Sequence, residues 1–184
     1  MARYSRDRVE SILKQVDSAK TNDARGAALE ELTKYLFERF PGVECTDQDI
    51  LDATQSQELD LAFWNDQRMS ALSFLDAVLV VECKASDNPV GSADVGWFVR
   101  KLQDRGAYHG ILVALNGVTG KGNRNAHDEI LKALMRDRIR ILLLTRSEIL
   151  ALTTTESLAE VLKRKLLRLT LQRVVHIDDN DSNP

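Results

Sequence analysis

The chain has 184 residues, 43% hydrophobic and 29% charged, which suits one domain with a sizeable core and is too apolar for a disordered segment. Its formal net charge of -3 rules out an overall basic signature for nucleic acid and leaves only local patches to meet a polyanion. With 3 prolines and 9 glycines there is little material for a long linker.

From Ser5 to Ala19, Val9, Ile12, Leu13 and Val16 recur at helical spacing with charges between them, which predicts an amphipathic helix. Asn22 and Asp23 offer an N-cap for a second helix through RGAALEELTKYLFERF, with Leu29, Leu32, Leu36 and Phe40 as its stripe and Pro41–Gly42 as its stop. The polar stretch CTDQDILDATQSQ then leads to ELDLAFW. There Leu59, Leu61 and Phe63 face one way and Glu58, Asp60 and Ala62 the other, a half-buried strand. NDQRMS is a turn, and FLDAVLVVECK a second, more buried strand. After the loop SDNPVG, the segment SADVGWFVRKLQDRG is a helix with Ser92 as its N-cap and Gly106 as its stop. GILVALNG is a short apolar strand. The polar loop VTGKGNRN precedes a helix from Ala126 to Arg136, and IRILLLT is another buried strand. Residues 147–172 are helical, with Leu158, Val161, Leu162, Lys165, Leu166 and Leu169 following the period.

This order predicts an α/β fold: a mixed central β-sheet flanked by helices on both faces, opening with a hairpin-like strand pair and continuing in βαβ units. Residues 1–175 are expected to form a single domain, with an N-terminal helix in 1–22, a core in 23–145 and C-terminal helices in 147–172. An acidic flexible tail, 176–184, should follow. The start MARYSRDRVE lacks an apolar signal region, and no apolar run approaches the roughly 20 residues of a membrane span. Cys45 and Cys83 have no CxxC or Cys/His spacing, and Cys83 lies within an apolar run as a small buried thiol. Together these point to a reduced, cytoplasmic compartment with no membrane association.

Three charges stand out from this frame. In VVECK, Glu82 and Lys84 project to the same face because successive strand residues alternate, and Cys83 goes the other way. ELDLAFW presents Asp60 on its polar face, and the short connection between the strands makes them antiparallel neighbours. Alone, Glu82 and Lys84 would be a solvated pair at a strand end, worth little to stability. With Asp60 they converge at one end of the sheet. Two carboxylates brought close repel unless a cation lies between them. Mg²⁺ takes hard oxygen ligands and keeps several waters, so such a pair can present a water to phosphorus. The lysine adds a point charge for the attacking water or for the charge that develops.

An Asp on one strand, a Glu-x-Lys on the next and a Glu on a preceding helix is the pattern of PD-(D/E)xK phosphodiesterases. The stretch from Gly26 to Gly120 resembles restriction-endonuclease-like domains of the Mrr type. GAALEELTKYLF is similar to the first core helix, with Glu30 in the place of its helical acid; Glu31 falls about 100° around the helix. SQELDLAFWN is similar to the strand carrying the metal-binding Asp, here Asp60. LVVECKA carries Glu82 and Lys84, and VGSADVGWFVRKLQDRGAYHGILVALNG resembles the helix and strand that follow. The chain departs from the pattern with ELD in place of a Pro-Asp pair, and with Ala85 and Ser86 after the lysine.

The resemblance implies a restriction-endonuclease-like core and a Mg²⁺-dependent endonuclease acting on DNA, with Mn²⁺ able to substitute. Asp60, Glu82, Lys84 and Glu30 would be catalytic, and Asp60 and Glu82 would hold the metal. A homodimer or a partner subunit is the expected assembly. The alternative is a non-catalytic nuclease-fold module that binds nucleic acid or a partner protein. Gln57, Lys101 and Gln103 are candidates for nucleic-acid contact, and loop or helix-face polarity explains them as well. Gln55 has the same two explanations. Trp97 and Phe98 are assigned to the core. His127 lacks partners for zinc, and NGVTGKGNRN departs from a P-loop because Lys121 is followed by Gly122. KRKLLR (163–168), with Arg173, reads as a solvated helix face that could also track phosphates.

Overall fold

The computed structural model describes residues 1–51, 58–120 and 125–175. One sheet holds five strands in the order β1 (Val43–Leu51), β2 (Glu58–Asn65), β3 (Val78–Lys84), β4 (His109–Ala114) and β5 (Arg140–Leu144). β1, β2 and β3 pair antiparallel, while β3, β4 and β5 pair in parallel. The change follows from the connections. A run without a helix joins β2 to β3, whereas α3 (Ser92–Asp104) and α4 (Ala126–Asp137) form the two crossovers. α1 (Arg6–Ser18) and α2 (Asn22–Phe37) precede the sheet, and α5 (Arg146–Ala151) and α6 (Thr155–Gln172) follow it.

β1 is a strand that the polar stretch before ELDLAFW concealed. It lies at the sheet edge, and of Val43 to Asp49 only Val43 is buried, so no apolar alternation marks it. Its backbone pairing with β2 defines it, from Val43↔Asn65 to Leu51↔Glu58, with a shift between Cys45 and Asp47. The helix starts also differ slightly from expectation. Thr21, not Asn22 or Asp23, caps α2 by accepting a hydrogen bond from the Ala24 amide, and Gly91 stands at the N-cap of α3 ahead of Ser92. The C-terminal helical stretch is two helices. Thr154 and Ser157 form a reciprocal cap, Ser157 N to Thr154 Oγ1 at 3.2 Å and Thr154 N to Ser157 Oγ at 3.1 Å, which starts α6 afresh.

The two sheet faces are packed by different helices. On one face, Leu59, Leu61, Phe63, Leu79 and Val81 are buried, with α2 against them. Phe37 meets Phe63 at a ring-centroid distance of 5.4 Å, and Thr33 Oγ1 lies 3.4 Å from Cys83 Sγ. Cys83 is the inward-packed thiol expected, and burial pushes its pKa well up. On the other face, α3 sits close over β4 at Gly110. A Cβ there would lie 2.6 Å from Leu102 Cδ1 and 2.8 Å from Phe98 Cζ, so a glycine is needed for this approach. Phe98 belongs to the core as expected. Trp97 does not: one residue further back is 100° around the helix, and it is 48% exposed.

Lys165 departs from the solvated-face reading of KRKLLR, because it follows the apolar stripe inward and pairs with Glu148 at 2.6 Å. Lys163 and Arg164 are exposed. Among the described residues, no helix is long and apolar enough to cross a membrane. Gln55, Gln57, the loop residues 121–124 and the tail 176–184 lie outside the described residues.

Candidate active site

Asp60 and Glu82 come together through strand register. The β2/β3 ladder runs from Trp64↔Val78 to Leu61↔Val81, so one further step sets Asp60 opposite Glu82 on the face covered by α3. The Asp60 carboxylate occupies the end of the ladder itself, with Oδ2 accepting a 2.6 Å hydrogen bond from the Cys83 amide. β3 continues beyond this point in parallel pairing with β4, Glu82↔Leu112 and Lys84↔Ala114, which keeps both charged residues on a regular strand.

Glu82 is 1% exposed, an unusual place for a carboxylate without compensation. Two ammonium groups supply it. Lys101 Nζ donates to Glu82 Oε1 at 3.0 Å and to Oε2 at 2.7 Å, and Lys84 Nζ lies 2.8 Å from Oε1. The two lysines differ in access: the Lys84 side chain is 32% exposed and that of Lys101 only 6%. Burial alone would lower the Lys84 pKa. The Glu82 charge and hydrogen bond, with Asp60 and Asp94, outweigh that and hold it above its ordinary value. Asp60 goes the other way for a carboxyl. Burial first and the Glu82 charge second push it up to about 6, against the Cys83 amide, Lys84 and Lys101.

The two helical acids separate. Glu30 is half-buried and accepts a hydrogen bond from Gln48 Nε2 at 2.7 Å. Burial raises its pKa, the Gln48 bond lowers it, and the charges of Asp49, Glu58 and Glu82 raise it again. Glu30 therefore shares the acidic field of the strand ends. Glu31 is exposed and faces Arg8 at 4.0 Å. Gln103 is exposed, roughly 200° around α3 from Lys101, and is not brought to Glu82.

Lys101 is where the sequence reading differs most from the fold. Helix-face polarity makes it a candidate for phosphate contact, but the structure places it inside, on Glu82. A signal was present: Val95, Phe98, Lys101 and Leu102 form one inward stripe, and a lysine in such a stripe needs a buried carboxylate. Composition could not say which one.

Beside the site, the Leu115 amide donates to the Lys84 carbonyl at 3.3 Å and Asn116 Nδ2 to the Ser86 carbonyl at 2.7 Å. These bonds set the strand end next to a cavity of about 580 Å³, lined in part by Asn116, His127, Thr145 and Arg146. Arg146 is engaged by Asp17 at 3.0 Å.

Among the described residues, no group of three or more His, Cys, Asp or Glu side chains could by itself hold a metal. Asp60 and Glu82 are two hard oxygen donors, which suits an ion such as Mg²⁺ that takes one or two carboxylates and completes its shell with water and phosphate. Burial first and the Glu82 charge second raise Asp60, and a bound cation would offset both by favouring the ionised carboxylate.

A mixed five-stranded sheet with helices on both faces, and an acid pair with a lysine at the ends of two adjacent strands, is a restriction-endonuclease-like α/β fold. The chain belongs to the restriction endonuclease family of the Mrr catalytic type, whose model matches residues 21–153. A comparison with curated proteins finds no match. Domains of this family are nucleases, which generally use divalent metals and imply interaction with DNA.

Proposed function

We propose that this protein is a Mg²⁺-dependent endonuclease that hydrolyses phosphodiester bonds of DNA at the site formed by Asp60, Glu82, Lys84 and Glu30. The observation that carries it is the cross-strand placement of Asp60 and Glu82 with the Lys84 ammonium 2.8 Å from Glu82, in a chain of the restriction endonuclease family. Asp60 and Glu82 would hold the ion, which when bound supplies positive charge to the phosphate and lowers the pKa of a water.

The protein's own groups divide the remaining work. Lys84, 2.8 Å from Glu82 and partly exposed, brings a positive charge with donors to spare for a phosphate oxygen. The partial exposure of Lys84 lets it reach a bound backbone, while buried Glu82 stays put. Glu30, held by Gln48, would add negative charge at the edge of the same field. Gln57, by its place in the sequence alone, and Gln103, on the exposed side of α3, remain candidates for backbone contact. Cutting both strands of a duplex calls for two sites, so a homodimer or partner subunit in the cytoplasm belongs to the same reading.

The test is plasmid nicking by wild type, Asp60→Asn and Lys84→Ala, each with Mg²⁺, with Mn²⁺ and with chelator. Cleavage that needs the divalent ion and is lost in both variants is expected. Metal-dependent cutting equal in all three proteins would overturn the assignment.

A further inference from the structure

We propose that Lys101 is a tethered cation of the metal site, a positioning residue that holds Glu82 and limits the site to a single divalent ion. This rests on the reading of Asp60 and Glu82 as metal ligands. An ionised carboxylate offers about four lone-pair positions. Three positions on Glu82 are taken, by Lys101 at 3.0 Å and 2.7 Å and by Lys84 at 2.8 Å. The free one is on Oε2, room for a single metal–oxygen bond. Charge gives the same answer. Lys101 already compensates Glu82 from within the fold, and a second ion at Glu82 would press against its buried ammonium.

The two lysines are not equivalent. Lys84 lies at the rim and can turn from Glu82 to a phosphate. Lys101 cannot follow, because its side chain is 6% exposed and α3 is seated on β4 at Gly110, where Phe98 and Leu102 leave no space for a Cβ. Lys101 thus keeps Glu82 compensated and in its rotamer when Lys84 leaves. It does for one side of the carboxylate what a second metal does in two-ion sites, without needing to be bound from solution.

The measurement is Mn²⁺ stoichiometry of the full chain, by titration calorimetry and electron paramagnetic resonance. Wild type should take up one ion. Lys101→Met, close in shape but uncharged, should take up two, and Lys101→Arg should return to one. Two ions in wild type, or one ion of unchanged affinity in Lys101→Met, would overturn the proposal. If circular dichroism shows Lys101→Met unfolded, the wild-type stoichiometry still decides. Two ions in wild type that Asp60→Asn releases would overturn this inference alone. No uptake by wild type or variant would overturn the metal-site reading with it.

Discussion

Replacing Asp60 by asparagine should make the protein more stable at pH 8 while removing a ligand from the proposed metal site. The folded protein holds the Asp60 carboxyl at about 6, against an ordinary value of 3.8, chiefly because it is buried beside Glu82. The folded state therefore binds a proton more readily than the unfolded chain between about pH 4 and pH 6. Stability from this group falls as pH rises through that window, and the penalty is complete above it. A rise of about two pH units corresponds to a ceiling of about 3 kcal/mol, and with Asp60 half-buried the working range is roughly 1–3 kcal/mol. The asparagine amide would keep an oxygen for the Cys83 amide, so the 2.6 Å hydrogen bond need not be lost with the charge. The assay is urea denaturation of both proteins, without divalent ions, at pH 8 and pH 4.5. Asp60→Asn should gain the full difference at pH 8 and roughly a third of it at pH 4.5. For a domain of this size that is roughly 2–4 °C in Tm per kcal/mol. A variant less stable at pH 8, or an equal difference at both pH values, would refute the reasoning.

Glu82→Ala should lose about 3–5 kcal/mol, because it strands the Lys101 ammonium without its buried partner. In a Lys101→Met background the same change should cost less than half as much; additive losses by chemical denaturation would contradict the pairing. Glu30→Gln should lower plasmid cleavage at least tenfold, whereas Glu31→Gln, on the Arg8 side, should leave it within about twofold. Comparable losses in both would remove Glu30 from the site. Gly110→Ala should cost roughly 1–3 kcal/mol by forcing α3 off β4, and an unchanged melting temperature would show that the contact with Phe98 and Leu102 yields easily.

Much of the fold could be read along the chain because burial leaves periodic marks. The strands at Leu59, Leu79, Ile111 and Ile141 are buried and apolar, and α1 buries Val9, Ile12, Leu13 and Val16 at helical spacing. β1 left no such mark, because an edge strand with both faces largely in solvent is free to be polar, and only hydrogen bonding to β2 reveals it. C-terminal helices were expected, but the place of the break between α5 and α6 was not legible, for a related reason. The apolar stripe resumes after it, and the Thr154–Ser157 cap is a local hydrogen-bond choice that periodicity does not report.

By itself, the sequence determined which charges share the strand ends. Alternation places Glu82 and Lys84 on one strand face, and the short connection from ELDLAFW makes Asp60 their neighbour. The Mrr-type resemblance also follows from residues 26–120 alone. Only the tertiary structure decided what surrounds those charges. It sets Asp60 opposite Glu82 by ladder register, turns Glu30 to Gln48 and Glu31 to Arg8 by the rotation of α2, and brings Lys101 from α3 onto both oxygens of Glu82. The reason is physical. Periodicity records whether a side chain is buried, but the partner that makes a buried charge tolerable comes from a different element, at a distance along the chain that no local pattern encodes.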